Sequence, residues 1–260
     1  MIRRPIKLED HSPGWMLISQ PDHARIAYEL ACSWGRPPLR PLPLTDTLLP
    51  TLLHHDDGWQ TWEELPDIEP ERGHPYSFTE MVSTVAHGIW DECIGACQQL
   101  GPLAQYLVAS HFLHLCKMGE SAHSSVSVTF VQKYEELANH WLGEWQQESP
   151  DVHTPELANS ALRYLQMFDA LSLWLCCEES DEPQEWKTPD GDRLMFRPVE
   201  GGNIVVSPWP WIANVKALRL TARSVPAKNY RAREELAGAP CHLRSLNWVL
   251  TEDHSDSRLE

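Results

Sequence analysis

The sequence predicts a mainly α-helical protein with a smaller antiparallel β-rich C-terminal part. Two observations carry that expectation. Between residues 20 and 177, apolar side chains recur at three- and four-residue spacing over runs long enough for helices. Beyond residue 190 the pattern changes to short alternating or β-branched runs broken by Gly, Pro and Asn, which reads as strands and turns. The expected organisation is a helical body over residues 1–180 that includes short N-terminal strands. A β-rich part over residues 187–252 packs on it.

Each element has a local reason. Ile2 to Lys7 and Trp15 to Ser19 read as extended runs, with Ser12-Pro13-Gly14 as a turn between them. A helix follows from Pro21, because proline suits a first turn and Asp22 complements the positive end of the helix dipole. His23, Ile26, Ala27 and Leu30 share one face of it, and Gly35-Arg36-Pro37-Pro38 ends it. A second helix is expected over Thr45 to His54, broken at Gly58. The Pro-, Glu- and Asp-rich stretch 60–77 reads as a surface loop. Longer helices are expected over Ser77 to Leu100, Pro102 to Lys117, Ser125 to Gln147 and Thr154 to Cys177. Residues 178–190 read as an acidic linker and 252–260 as a frayed tail. Strands are expected from Arg193, Asn203, Val215 and Leu243.

Composition narrows the function classes. The chain has 260 residues, 21 Lys plus Arg and 37 Asp plus Glu, for a formal charge of −16. Phosphate-backbone binding needs clustered cations, so no nucleic-acid partner is expected. No run approaches the ~18 to 20 apolar residues of a membrane helix, and no signal-peptide core follows the N-terminus. No membrane association is therefore expected, and a cytoplasmic location is the default. The seven cysteines form no CxxC pair and read as buried reduced thiols.

The 13 histidines are more informative. His54-His55-Asp56-Asp57-Gly58-Trp59 puts an imidazole and a carboxylate side by side at a helix end. His23, His87 and His111 each sit on the apolar face of a separate expected helix. Taken singly, each reads as a satisfied core histidine. Asp169 is the lone charge between Leu165 and Cys177, and a carboxylate on a core face is costly without a hydrogen bond, ion pair or metal.

The ordered positions His23, His55-Asp56 and Asp169 resemble the His … His-Asp … Asp pattern of the HD-domain superfamily of helical metalloenzymes. His87 and His111 resemble the extra histidines of its dinuclear branch. The chain also resembles, almost end to end, the uncharacterised family DUF3891, through Gln20-Pro-Asp-His, His55-Asp-Asp-Gly-Trp, Phe168-Asp-Ala-Leu-Ser-Leu and Ser207-Pro-Trp-Pro-Trp. The superfamily resemblance implies an HD-domain-like helical bundle. It further implies two transition-metal ions, with Asp56 bridging an ion on His23, His55 and Asp169 to one on His87 and His111. The mixed nitrogen and oxygen donors suit iron first, with manganese or zinc as alternatives.

Three chemistries follow from that resemblance. A di-iron oxygenase acting on a small organic substrate with dioxygen is favoured. Trp59 stands where many phosphohydrolase relatives place a cation, and the chain is acidic. A metal-dependent phosphohydrolase is the alternative, and a non-catalytic protein stapled by metal is the third reading. Tyr28, Trp59, Trp62 and Trp90 are the expected pocket walls, though core packing explains any one tryptophan equally well. His54, Asp57 and His114 are expected as supporting or proton-transferring groups. A homodimer is compatible with the sequence.

Overall fold

The alternating run from Val215 builds the longest strand among the described residues, and it recruits partners from both ends of the chain. The computed structural model describes residues 1–119, 121–177 and 182–254. Strands β1 (Ile2–Lys7) and β2 (Pro13–Ile18) form a hairpin. Seven helices follow: α1 (Gln20–Ala31), α2 (Thr45–His54), α3 (Trp59–Glu64), α4 (Ser83–Ala96), α5 (Pro102–Met118), α6 (Ser125–Glu148) and α7 (Pro155–Cys177). The chain then runs through β3 (Gln184–Lys187), β4 (Arg193–Val199), β5 (Asn203–Ser207), β6 (Val215–Pro226), the short α8 (Arg233–Ala237) and β7 (His242–Glu252).

All seven strands form one sheet in the order β1-β2-β6-β7-β5-β4-β3. β2 lies antiparallel on β6, with Leu17 opposite Arg223. β6 and β7 pair antiparallel over ten residues, from Val215 opposite Thr251 to Ser224 opposite His242. β5 and β7 are parallel, so the sheet is mixed. The structure is 49 % helix and 22 % strand, with the sheet curled into a half-barrel. This α/β architecture overturns the expectation of a mainly α, HD-domain-like bundle with a small antiparallel β part. The N-terminal hairpin is a full member of the sheet, and the acidic stretch expected as linker contributes β3. Alternation marks a strand locally but does not say which distant strand completes its hydrogen bonds.

The sheet's inner face shares one apolar core with α1, α2 and α7, to which α5 and α6 add Leu103, Leu107 and Trp145. Leu165, Phe168, Leu171 and Leu175 of α7 join Phe196, Val206, Leu218, Leu220 and Leu250 of the sheet, with Ile26 and Leu30 of α1 and Leu48 and Leu52 of α2. The Trp211 indole N–H donates to the Leu30 carbonyl at 2.6 Å and ties the segment after β5 to α1. A second core holds α3 to α6 together through Trp59, Ile89, Cys93, Val108, Phe112 and Phe130.

Local departures have local causes. The helix expected from Ser77 to Leu100 is broken: Met81 and Val82 are extended, and 3₁₀ turns flank α4 at Phe78–Glu80 and Cys97–Leu100. The expected loop 60–77 contains most of α3. Of the expected linker, 178–181 lie outside the described residues, as do 255–260 of the expected tail. No helix among the described residues is long and apolar enough to cross a membrane. All seven cysteines are free, and Cys241 alone is exposed.

Arg3 fastens the edge strand β1 to the turn before α4. Its guanidinium grips both oxygens of Glu80 at 2.9 Å and also meets His74. Burial alone would raise the Glu80 carboxyl. Hydrogen bonds from Arg3 and the Ser77 N–H outweigh that and hold it below its usual 4.5. A depressed carboxylate stabilises the fold above its unfolded value and loses that contribution as pH falls through the folded value. Glu80→Gln is therefore expected to lower the urea midpoint at pH 7, with the gap to wild type closing below about pH 4.5. A gap that stays constant down to pH 3 would refute this role for the pair.

Candidate metal centre

Capping sets the position of the first candidate ligand. Ser19 precedes α1 in extended conformation and its hydroxyl accepts the Asp22 N–H at 3.1 Å. The backbone N–H of His23 bonds to the Ser19 carbonyl at 3.1 Å. His23 therefore sits in the first turn, on the same apolar stripe as Ile26, Ala27 and Leu30. The second pair comes from the end of α2. His55 is the C-cap, and turn bonds from Asp57 N–H to the His54 carbonyl and from Trp59 N–H to the Asp56 carbonyl continue a helical bend. This bend swings His55 and Asp56 inward. It can do so because Gly58 lies against α4: a Cβ there would stand 2.4 Å from the Cys93 nitrogen and 2.6 Å from the Ile89 carbonyl oxygen.

Four donors converge between α1, the end of α2 and α7. His23 Nε2 lies 3.0 Å from Asp56 Oδ2 and 3.4 Å from Asp169 Oδ1. His55 Nε2 lies 3.2 Å from Asp169 Oδ1 and 3.7 Å from Asp56 Oδ2. All four residues are buried. Ligand atoms each about 2.1 Å from one ion stand about 3.0 to 3.4 Å apart at right-angled or tetrahedral separations, and three of these four spacings fall in that range.

The far side of each imidazole supports the same reading. The Ser172 hydroxyl donates to the Asp169 carbonyl at 2.8 Å, so it accepts from His23 Nδ1–H, also at 2.8 Å. His55 Nδ1–H donates to the Leu52 carbonyl at 2.8 Å. With both Nδ1 protons committed, both Nε2 atoms present lone pairs toward carboxylates. Second-side hydrogen bonds of this kind are how metal-ligating histidines are oriented. Acceptors facing acceptors in a buried site require a cation, either a proton or a metal. Burial works against charging His55, yet the Asp56 charge and the Asp169 hydrogen bond overrule it and push its pKa up to about 9. Burial would likewise raise Asp56 and Asp169, but the facing imidazoles hold both below the usual carboxylate range. The buried His23–His55–Asp56 group could hold a metal ion, and among the described residues it is the one such group found.

The remaining expected site residues divide. His111 on α5 borders the cluster: its Nε2 is 3.8 Å from Asp169 Oδ2 and its ring centroid is 6.0 Å from that of His55. His87 does not join. Its ring stacks on Phe130 at 4.7 Å, and its Nε2 faces Cys116 Sγ at 3.7 Å. The second ion expected between His87 and His111 therefore has no assembled ligand set among the described residues. His87 lies on an apolar helix face as expected, but that face belongs to the second core. Asp57 bonds His54 Nδ1 at 2.7 Å and orients that histidine instead of a ligand. His114 is exposed.

The aromatic walls are packing. Trp59 is buried and meets Trp62 edge-on at 5.8 Å, and Trp90 stacks on Phe112 at 5.1 Å, all within the second core. Tyr28 packs against the first core. None of the four lines the 680 Å³ cleft beside α1. Ser172 was missed by the sequence reading. Its signal was its position three residues after Asp169 on an otherwise apolar face.

The family described as "Protein of unknown function (DUF3891)" matches residues 6–227, which include every donor of the cluster. The chain belongs to DUF3891. No curated protein and no solved structure matches it. Membership in DUF3891 brings no activity with it and no link to the HD-domain superfamily, so the chemistry rests on the donors themselves.

Two variants test how the DUF3891 cluster is held. Ser172→Ala removes the acceptor for His23 Nδ1–H and should weaken metal binding about 10- to 100-fold with the far-UV circular dichroism spectrum unchanged. Metal affinity equal to wild type in a titration would discard the role of Ser172. Gly58→Ala forces a Cβ into α4 backbone and should cost about 1–3 kcal/mol in urea unfolding. A neutral result would mean that the bend does not depend on this close approach.

Proposed function

We propose that this protein is a metal-dependent hydrolase with a mononuclear centre held by His23, His55, Asp56 and Asp169. The observation that carries the reading is the four-donor convergence with both Nδ1 protons already committed. The order of these residues resembles the His … His-Asp … Asp pattern of HD-domain metalloenzymes. Two imidazoles and two carboxylates suit Mn(II), Fe(II) or Zn(II). Such an ion supplies Lewis acidity and lowers the pKa of water at its open positions.

The chain's own residues divide the remaining work. Asp56 and Asp169 supply the two carboxylates facing the imidazoles from opposite elements, the end of α2 and α7. Ser172 and the Leu52 carbonyl hold the two ligand imidazoles in one tautomer. His111 is buried beside Asp169, and its Nδ1 has no hydrogen-bond partner. It is the imidazole at the centre with neither nitrogen firmly committed, which suits it to carry a proton at Nε2.

Two findings favour hydrolysis over the oxygenase expected from sequence. A di-iron site needs the second imidazole pair, and His87 is packed on Phe130. The tryptophans expected to wall a dry oxygen pocket fill the second core instead. Phosphoesters are the first substrates to test.

Asp56→Ala and Asp169→Asn should each reduce bound metal below one-tenth of an equivalent per chain after dialysis, about the loss expected when one carboxylate ligand is removed. Elemental analysis of wild-type protein loaded with Mn(II), Fe(II) or Zn(II) should give one ion per chain. Two ions per chain, or turnover that requires dioxygen, would overturn the mononuclear hydrolase. No retained metal at all would overturn the centre.

A further inference from the structure

A cleft of about 680 Å³ opens beside the residues that flank the metal donors in sequence. Asp22 precedes His23, and His54 and Asp57 bracket His55 and Asp56; all three line the cleft. Glu63 lines it too, and its carboxylate feels the charge of Asp56.

Most charges in this cleft are already satisfied by protein. Glu63 pairs with the Met1 α-amino group at 2.8 Å and accepts the Gln20 N–H at 3.0 Å. Asp22 is held by Ser19 at 2.6 Å, and Asp57 by His54. Arg25 is spent on Glu29 and on the Arg219 carbonyl. Two charges are left over. Arg223 enters from β6 and Glu64 from α3; both are exposed, and neither side chain has a hydrogen bond or ion pair to any described residue, including each other. One cleft thus presents a spare guanidinium and a spare carboxylate from different walls. A ligand carrying a single charge would answer one and leave the other unmatched.

We infer that this cleft binds a small zwitterion, a short organic molecule bearing an ammonium group and a carboxylate or phosphate, with the anion on Arg223 and the ammonium on Glu64. This rests on the hydrolase reading only for the consequence that the zwitterion is substrate; the binding itself does not require the ion. The sheet supplies the anion site through β6 and α3 supplies the ammonium site, in a cleft lined by sequence neighbours of the metal donors and by none of the donors themselves.

Isothermal titration of the full chain, metal-loaded and metal-free, tests it with matched probes. 4-Aminobutyrate is compared with butyrate and butylamine, and O-phosphoethanolamine with ethyl phosphate and ethylamine. At least one zwitterion should saturate with a Kd about tenfold or more below both of its singly charged analogues, a gap on the scale of one charge-assisted hydrogen bond. Which zwitterion does so identifies the anion as carboxylate or phosphate. Arg223→Gln and Glu64→Gln should each abolish that tenfold preference and leave metal content unchanged. The inference is overturned if an anion binds as tightly as its zwitterion, if no probe saturates, or if both variants keep the preference. Metal content is read separately: zwitterion binding without retained metal sinks the hydrolase and leaves the cleft assignment standing, and one bound ion without zwitterion preference does the reverse.

Discussion

Two carboxylates buried against two imidazoles impose the main constraint on this molecule. Asp56 and Asp169 lie out of bulk water, where an uncompensated negative charge is prohibitively costly. The imidazoles that face them can balance that charge by protonation or by sharing a cation. Ser172 and the Leu52 carbonyl bias the choice, because they occupy the ring nitrogens that would otherwise donate elsewhere. The four residues come from three separate elements, so the charge balance closes only when α1, the end of α2 and α7 are all in place.

The fold can be understood as the means of holding those three elements. α7 carries Asp169 and Ser172 on the face toward α1, while Phe168, Leu171 and Leu175 belong to the core shared with the sheet. The Trp211 bond to the Leu30 carbonyl fixes α1 from the sheet side. Gly58 lets the bend after α2 close onto α4, which links the centre to the second core. A mixed sheet with an N-terminal hairpin at one edge gives this arrangement a broad, rigid floor.

Much of the centre was legible in the sequence, because each donor violated a local expectation. Asp169 was a lone charge in an apolar run. His23 lay on an apolar stripe, and His55-Asp56 sat at a helix end before glycine. His87 obeyed the same rule as His23 and went elsewhere, since helical periodicity identifies a buried face but not which core it faces. Trp59 was open to two meanings for the same reason, and packing claimed it. The strands were mostly visible as local alternation. Their pairing was not: the contact of β2 with β6 joins residues two hundred positions apart, and the parallel pairing of β5 with β7 has no signature in either segment. That non-local pairing turned a helical body with an appendage into an α/β half-barrel.

The placement of α7 has a consequence for how the cluster can vary. A helix that lends one face to the buried His/Asp cluster and another to the core shared with the sheet transmits displacement between them, since packed interiors yield little. Exchanging a residue through which α7 joins that core, such as Phe168 or Leu171, for a larger one would shift the helix and alter the separation of Asp169 from His23 and His55. Ion preference depends on such separations at the scale of tenths of an ångström. If the cluster holds an ion as proposed, its metal selectivity can thus be set from the apolar core with every donor unchanged.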